Sequence, residues 1–225
     1  MNKSRLFKKS IIAVTITLAS QQASAAGFQL NAQSATGIGR AFAGDAVIAD
    51  NASVMARNAA AMALFDATSM SMGFETITSK IKVKDASYSQ TPLDATGTPM
   101  AGPSSESANE SDAGATSVAP NIHLIVPVND KFAWGINAYS NFGTKTEFDD
   151  DYAAGEYAGL TDVKSFNIGL AGSYRIDEQW SVGAGLDIVY GSGKFKRTAT
   201  ASGTKLVDID ADGWALGFNL GSVYE

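Results

Sequence analysis

The amino-acid sequence predicts an all-β fold, a transmembrane antiparallel β-barrel. Its start is typical of an exported protein, its second half alternates apolar with small or polar residues, and short and long connections alternate between these segments. Inside a bilayer every backbone polar group needs an internal partner, so an exported chain without a long apolar helix is either soluble in the periplasm or a β-barrel of the outer membrane. A soluble β-sandwich also alternates, but nothing in a sandwich sorts its connections by length.

The composition of the 225 residues excludes several classes of function. The chain has 17 basic and 23 acidic residues, a formal net charge of −6, whereas a nucleic-acid surface needs clustered Lys and Arg. Without cysteine there are no thiolate zinc sites, disulfides or cysteine nucleophiles, and the single histidine, His123, leaves little for imidazole chemistry. We therefore expect a protein that is not an enzyme, needs no cofactor and binds no nucleic acid.

Residues 1–25 are typical of a secretory signal peptide. Four basic residues precede an apolar run at 11–19, and Ala23-Ser24-Ala25 is a small-residue cleavage site. The apolar run is far shorter than the roughly 20 residues that a membrane-spanning helix needs. We therefore expect the mature chain to begin at Ala26.

Six segments of the remaining chain predict membrane-spanning strands. They are centred on residues 70–74, 122–128, 131–142, 166–176, 180–190 and 214–224. Even-numbered positions are mainly apolar and odd-numbered positions mainly small or polar, over lengths near the ~9–11 residues of a tilted strand. Aromatic residues stand near the ends of these segments, where a bilayer places its interfacial girdles: Trp134, Tyr174, Trp180, Tyr190, Trp214 and Tyr224.

The connections predict the orientation of the barrel. Short turns are expected at 129–130 and 177–179, and long loops at 84–117, 143–162 and 191–212, of which the first two are mainly acidic. Outer-membrane barrels have short periplasmic turns and long external loops. Six strands are too few, because single-chain bacterial barrels start at eight. Either residues 65–225 are part of a longer barrel, or two further strands lie at 81–83 and 206–209.

Residues 26–64 resemble neither a strand nor a linker. The stretch from 41 to 64 is rich in Ala, Met and Val, and Asp50, Asn51 and Ser53 are candidate helix N-caps. A segment this apolar needs to be buried. The lumen of the barrel is the available space, so we expect these residues to form short helices that plug it.

Several motifs, in order along the chain, resemble the FadL family of outer-membrane long-chain fatty acid transporters. They are residues 26–31 (AGFQLN), 37–41 (GIGRA), 49–50, 57–60 (RNAA), 120–123 with 127–130, and 146–148 with Tyr152. The resemblance implies a fourteen-stranded barrel with an N-terminal hatch in the outer membrane of a Gram-negative bacterium. This chain then supplies the signal peptide, the hatch at 26–64 and about six strands.

The same resemblance implies a function. It is passive uptake of long-chain fatty acids or similar hydrophobic molecules, by a monomer surrounded by outer-membrane lipid and lipopolysaccharide. An aromatic-hydrocarbon channel of the same family, or a structural or recognition barrel without a transported substrate, are the alternatives.

Capture of the substrate is expected at Arg197. Continuing the odd-numbered parity of the fifth predicted strand carries Phe195 and Arg197 to the lumen, while Lys194 and Lys196 face outward. The resemblance implies that Arg197 lines a high-affinity pocket, where a guanidinium can bind a carboxylate with two hydrogen bonds. It also implies that Phe28, near the mature N-terminus, supplies apolar contact.

Release is expected through the side of the barrel, at Asn141-Phe142-Gly143, where glycine permits a kink in the third predicted strand. The resemblance implies that this strand bends against the hatch signature, so that Asn58 hydrogen-bonds the backbone near Gly143. The family has Asn-Pro-Ala in the hatch, and this chain has Asn58-Ala59-Ala60, which loses the fixed φ of proline.

A weak calcium-loop pattern occurs late in the chain. Asp208, Asp210 and Asp212 are followed by Gly213, as at the start of an EF-hand loop. The twelfth position holds Asn219 instead of the bidentate Glu, and a strand follows where a helix belongs. We expect a solvated acidic loop and no metal site. For His123, between Ile122 and Leu124, we expect a hydrogen-bonding role in the lumen.

Overall fold

The computed structural model describes residues 30–91, 96, 98, 104–199 and 202–225. The predicted signal peptide and Phe28 lie outside the described residues. Across the described ranges, no helix has the length and apolar character needed to cross a membrane. The fold is all-β, and the helices found among the described residues are short and lie in the N-terminal segment, residues 30–64.

Six long strands form one antiparallel sheet, in the order β1-β4-β5-β6-β7-β8, and β2 pairs with β3 in a separate hairpin. In chain order the strands are β1 (Ser69–Thr78), β2 (Ser87–Gln90), β3 (Ser104–Ser107), β4 (Thr116–Pro127), β5 (Phe132–Glu147), β6 (Gly159–Arg175), β7 (Trp180–Ala199) and β8 (Thr204–Tyr224). All six predicted segments fall on strands of the large sheet, which confirms the period-two prediction.

The predicted loop at 191–212 is wrong over most of its length, and the predicted loop at 143–162 is shortened at both ends. β5 runs to Glu147, β6 starts at Gly159, and the β7–β8 ladder reaches the pair Ala199 and Thr204. Charged residues occupy alternate positions there, so the apolar signal fades although the strands continue. Residues 206–209 belong to β8, and at 81–83 the described structure has one isolated bridge, from Val83 to Glu110. The two further strands of the eight-stranded alternative are therefore not formed.

The sheet has an apolar outer face and a covered inner face. Even-numbered residues form the outer face, where Leu216 and Phe218 are 85% and 76% exposed. Other large apolar side chains exposed on this face are Met70, Met72, Phe74, Ile136, Ile168, Leu170, Leu186, Ile188 and Leu220. Odd-numbered residues such as Ile125 and Ala133 form the buried inner face. An exposed apolar surface of this extent indicates a lipid environment, because water-soluble monomers rarely carry one.

Two aromatic pairs border the apolar band. The ring centroids of Trp180 and Tyr224 lie 5.0 Å apart, and those of Tyr190 and Trp214 lie 4.9 Å apart. Ten residues of β7 separate the two pairs, roughly 33 Å along the strand at ~3.3 Å per residue. A strand tilt of about 40° reduces this to a height of about 25 Å, the height of the apolar band of outer-membrane barrels.

The N-terminal segment contains three short helices. They are α1 (Ala35–Gly39), a first 3₁₀ helix (Ala52–Ala56) and a second 3₁₀ helix (Ala59–Leu64). The residues before these helices, Ser34, Asn51 and Asn58, are their N-caps. The side chain of each accepts a hydrogen bond from a backbone N–H of the helix that follows. Of the predicted N-caps, Asn51 serves as one.

Both 3₁₀ helices pack on the inner face. Met55, Met62 and four alanines of these helices are buried with Ile125, Ala133, Ala171 and Val223. The helix backbone reaches the sheet because glycines leave space for it: a Cβ added at Gly183 would lie 2.3 Å from the Ala60 nitrogen. The small odd-numbered residues of the sequence pattern thus accommodate the N-terminal segment.

Replacing Gly183 with alanine tests this packing. The added methyl group meets backbone, which cannot rotate away, so we expect the free energy of unfolding to fall by about 1–3 kcal/mol. The measurement is a denaturant titration of the purified protein in detergent. Gly191→Ala in the same strand is the control, because a Cβ there meets nothing within 4 Å. Equal unfolding free energies for the two variants would contradict the packing described.

Candidate functional site

A β-bulge interrupts the pairing of β5 with β6. Ser140 pairs with Phe166 and Phe142 with Ser165, so Asn141 has no partner in the ladder. The bulge inverts the alternation of β5, which places Phe142 on the inner side, opposite to the side that its even number predicts. Such bulges bend a strand and release one residue from pairing.

A gap separates β4 from β5 beside the bulge. Their pairing ends at Asn121 and Tyr139. Beyond this point β4 continues its ladder with β1 alone, and β5 continues with β6 alone. Beyond the gap, a hydrogen bond of 3.0 Å from the Glu147 N–H to the Ala113 carbonyl joins the end of β5 to the segment that precedes β4. The gap is therefore bounded at both ends.

The loop above the gap is held by Asp112. Its carboxylate accepts backbone N–H groups of Gly114 and Ile81, at 3.0 and 3.1 Å. These hydrogen bonds lower the pKa of the Asp112 carboxyl from its usual value. Asp112 thus positions the neighbouring Ala113, which closes the gap.

The N-terminal segment enters this gap. The Leu30 N–H donates to the Asn141 carbonyl at 2.8 Å, in place of a β4 partner. A cavity of about 350 Å³ lies here, lined among others by Leu30, Val118, Phe142 and Gly143. A Cβ at Gly143 would lie 3.5 Å from Leu30. The Ser165 hydroxyl donates to Asn141 Oδ1 at 2.6 Å, which holds the bulge.

Asn58 lies elsewhere. Its Nδ2 donates to the Ser222 carbonyl of β8 at 3.1 Å, and its Oδ1 accepts the Ala60 N–H at 3.0 Å. The expected hydrogen bond to the backbone near Gly143 is therefore wrong. Asn58 is held at its own position by local contacts, because it caps the second 3₁₀ helix and fits against Gly221, which has no side chain. Ala59 and Ala60 are buried beside it.

Arg197 and Phe195 lie at the far end of β7. Arg197 Nη1 donates to the carbonyls of Leu160 and Lys196 at 2.8 and 2.7 Å, and Nη2 donates to Thr161 Oγ1 at 2.9 Å. Thr161 and Arg197 are both odd-numbered, so the guanidinium is on the inner side. Its five N–H groups exceed these three bonds, which leaves donors for an anion.

The residues expected for capture and for release occupy opposite edges of β6. Arg197 pairs with Gly159, and Gly143 pairs with Lys164. Five residues of β6 separate the two places, roughly 16 Å at ~3.3 Å per residue. The structure brings Asn141 and Gly143 together with Leu30, and Arg197 with Phe195, as two adjacent regions.

The inner face also carries a polar row that the sequence analysis missed. Asp187 accepts Asn167 Nδ2 at 2.9 Å and Asn219 Nδ2 at 3.2 Å. His123 is fully buried, 5.8 Å from the ring of Tyr139, and its nitrogens have no hydrogen-bond partner among the described residues. The available signal was the recurrence of Asn and Asp at odd positions of neighbouring strands. His123 thus lies on the predicted face without the predicted hydrogen bond.

The three aspartates of the calcium-loop pattern lie along β8. Asp208 and Asp210 bind lysines, Lys205 at 3.0 Å and Lys194 at 2.7 Å. Alternate residues of an extended strand stand roughly 7 Å apart. The three carboxylates therefore do not converge as they would in a calcium loop.

Comparison with known proteins identifies the family. Residues 16–225 match the family model of outer membrane protein transport proteins (OMPP1/FadL/TodX). A long-chain fatty acid transport protein of Salmonella typhi is 36% identical over 245 residues, covering 100% of this chain and 53% of the relative. Outer membrane protein P1 of Haemophilus influenzae is 41% identical over 195 residues, covering 86% and 42%. The chain thus spans about half the length of these relatives.

A solved structure supports the same fold. The crystal structure of a Pseudomonas aeruginosa FadL homologue matches 89% of this chain and 50% of its own, with a TM-score of 0.67 and 23% identity. The relatives are named as transport or outer membrane proteins, in agreement with the expectation that the chain is not an enzyme. The chain belongs to the OMPP1/FadL/TodX family of outer membrane transport proteins and is located in the outer membrane of a Gram-negative bacterium.

Proposed function

We propose that the whole protein takes up long-chain fatty acids, or similar hydrophobic molecules, passively across the outer membrane. The chain supplies the hatch and the first six strands of a fourteen-stranded barrel, which acts as a monomer within outer-membrane lipid and lipopolysaccharide. The gap between β4 and β5 carries this proposal, because it gives a route from the inner face to the outer face.

Lateral release is energetically favoured for such a substrate. Moving apolar surface into water costs about 25 cal/mol per Å², so an acyl chain that descends into the periplasm loses stabilisation over its whole length. A chain that leaves through the gap enters the bilayer along the apolar outer face. Leu30 and Phe142 line the cavity and would keep the acyl chain out of water on the way.

The hatch is the N-terminal segment, and its packing fits a plug that stays in place. The second 3₁₀ helix is fixed to β7 and β8 by close backbone contact at Gly183 and by the Asn58 bond to Ser222. The gap lies at the other side of the sheet, beside β4 and β5. Ala59 and Ala60 thus act as packing residues of the hatch, and a substrate can pass without expulsion of this helix.

Arg197 is proposed to bind the carboxylate of the substrate, with apolar contact from Phe195 and Phe28. A guanidinium on a partly buried wall favours an anionic head group over a neutral hydrocarbon. This residue therefore favours fatty acids over aromatic hydrocarbons as substrates. A structural barrel without a substrate has no use for free guanidinium donors on its inner side.

The release route is tested by Gly143→Val in the whole protein. The larger side chain fills the cavity beside Leu30 and straightens the strand, so uptake of labelled oleate by expressing cells should fall. We expect a loss of about fivefold or more, since a barrier higher by about 1 kcal/mol slows passage by that factor.

Gly213→Val is the matched control for release, because a Cβ at Gly213 meets nothing within 4 Å. Assembly of both variants is checked by their heat-dependent mobility on gels. An assembled Gly143→Val protein that imports oleate at the wild-type rate would exclude this route.

The capture site is tested by Arg197→Ala. Loss of a charged hydrogen bond should weaken oleate binding by roughly 1.5–3 kcal/mol. Methyl oleate, which has the same chain and no charge, is the control ligand and should bind both proteins alike. Unchanged affinity for oleate would show that Arg197 serves only to join β6 and β7.

A further inference from the structure

The outer face changes from apolar to charged beyond the Tyr190–Trp214 pair. In β7, Tyr190 is followed at alternate positions by Ser192, Lys194 and Lys196. These residues keep the parity of the apolar band below them, so they point toward the surrounding membrane and not toward the inner side. The change occurs on the side of the long loops, which is the external side.

Nine charged residues of four strands form this surface, which we call the outer charged face. They are Lys145 and Glu147 of β5, Asp162 and Lys164 of β6, Lys194 and Lys196 of β7, and Asp208, Asp210 and Asp212 of β8. The ladders join them directly, since Lys194 pairs with Asp162 on one side and with Asp210 on the other. Cross-strand neighbours point to the same face.

The lysines stand at successive heights above the aromatic pair. Lys164 pairs with Ser192, two residues beyond Tyr190, and Lys194 and Lys196 lie four and six residues beyond it. With ~3.3 Å per residue and a tilt of about 40°, these positions are about 5, 10 and 15 Å outside the apolar band. The head-group layer extends about 5–7 Å beyond the hydrocarbon core, so Lys164 lies within it and Lys194 and Lys196 lie further out.

The ion pairs within this face are exposed and easily exchanged. Lys194 contacts Asp210 at 2.7 Å and Lys164 contacts Asp162 at 3.2 Å, with 45% and 60% of the lysine side chains exposed. Exposed ion pairs contribute only about 0–1 kcal/mol. An external anion can therefore take over these lysines at little cost.

We propose that the outer charged face binds lipopolysaccharide, with Lys164, Lys194 and Lys196 contacting its phosphate groups. The proposal rests on the outer-membrane location within the proposed function and is independent of the transported substrate. Flexible lysine side chains can extend along the strand to reach phosphates at different heights. The aspartates suit the same partner, because carboxylate oxygens can share the divalent cations that accompany its phosphates.

The test uses the whole protein, extracted from outer membranes in mild detergent. Native mass spectrometry counts the lipopolysaccharide molecules that remain bound to the wild type and to the triple variant K164Q/K194Q/K196Q. We expect the triple variant to retain at least tenfold less, since roughly fivefold from each lysine multiplies to about a hundredfold in affinity. The single variant K164Q should show an intermediate loss.

K131Q is the matched control for K164Q. It removes one positive charge, as K164Q does, but in the turn between β4 and β5 at the opposite end of the strands. It should retain wild-type amounts of lipopolysaccharide. Oleate uptake is measured in parallel for the double variant K194Q/K196Q and should be unchanged, because neither side chain lines the cavity at the gap; this separates the proposal from the release site. The proposal would be overturned if K164Q retained as much lipopolysaccharide as the wild type, or if K131Q lost as much of it as K164Q.

Discussion

The close contact between the second 3₁₀ helix and the inner face of the sheet is the constraint on which the rest depends. The backbone around Ala60 touches β7 only because Gly183 lacks a side chain. The same contact buries Met55 and Met62 against β4 and β5, where Gly135 leaves space for both. The inner face of the sheet must therefore remain small where these helices touch it. The opposite, outer face packs against no other described part of the chain and carries large apolar side chains, which the bilayer requires of a surface in contact with lipid.

This constraint explains what the sequence could predict. The period-two pattern reports a face covered by protein and a face covered by lipid, and it located all six strands and the inner side of His123, Phe195 and Arg197. The pattern ends where the bilayer ends, since residues outside it need not be apolar. For this reason the outer parts of β5 to β8 resembled loops, although their backbone ladders continue.

The other differences have local causes that periodicity does not contain. A bulge is one additional residue; Gly143 indicated that the strand could bend at Asn141-Phe142-Gly143, and the bulge lies there, but the sequence did not show which residue would leave the ladder. Its consequence is large, because every later residue of β5 changes sides. Asn58 was expected near Gly143, yet its amide is engaged in capping a helix and in bonding Ser222, two contacts with no regular spacing. The contact of Leu30 with Asn141 lies at the bulge and has no signal of its own in the sequence.

The gap between β4 and β5 has fixed ends, formed by the pair Asn121–Tyr139 below and the Glu147–Ala113 hydrogen bond above. A slot of this kind limits the cross-section of a molecule and places no limit on its length. A linear acyl chain that passes end-on presents the same width whether it has twelve carbons or twenty. Branched or fused-ring molecules present a larger one, so under the proposed route the wall itself would select by shape, independent of any recognition of the head group.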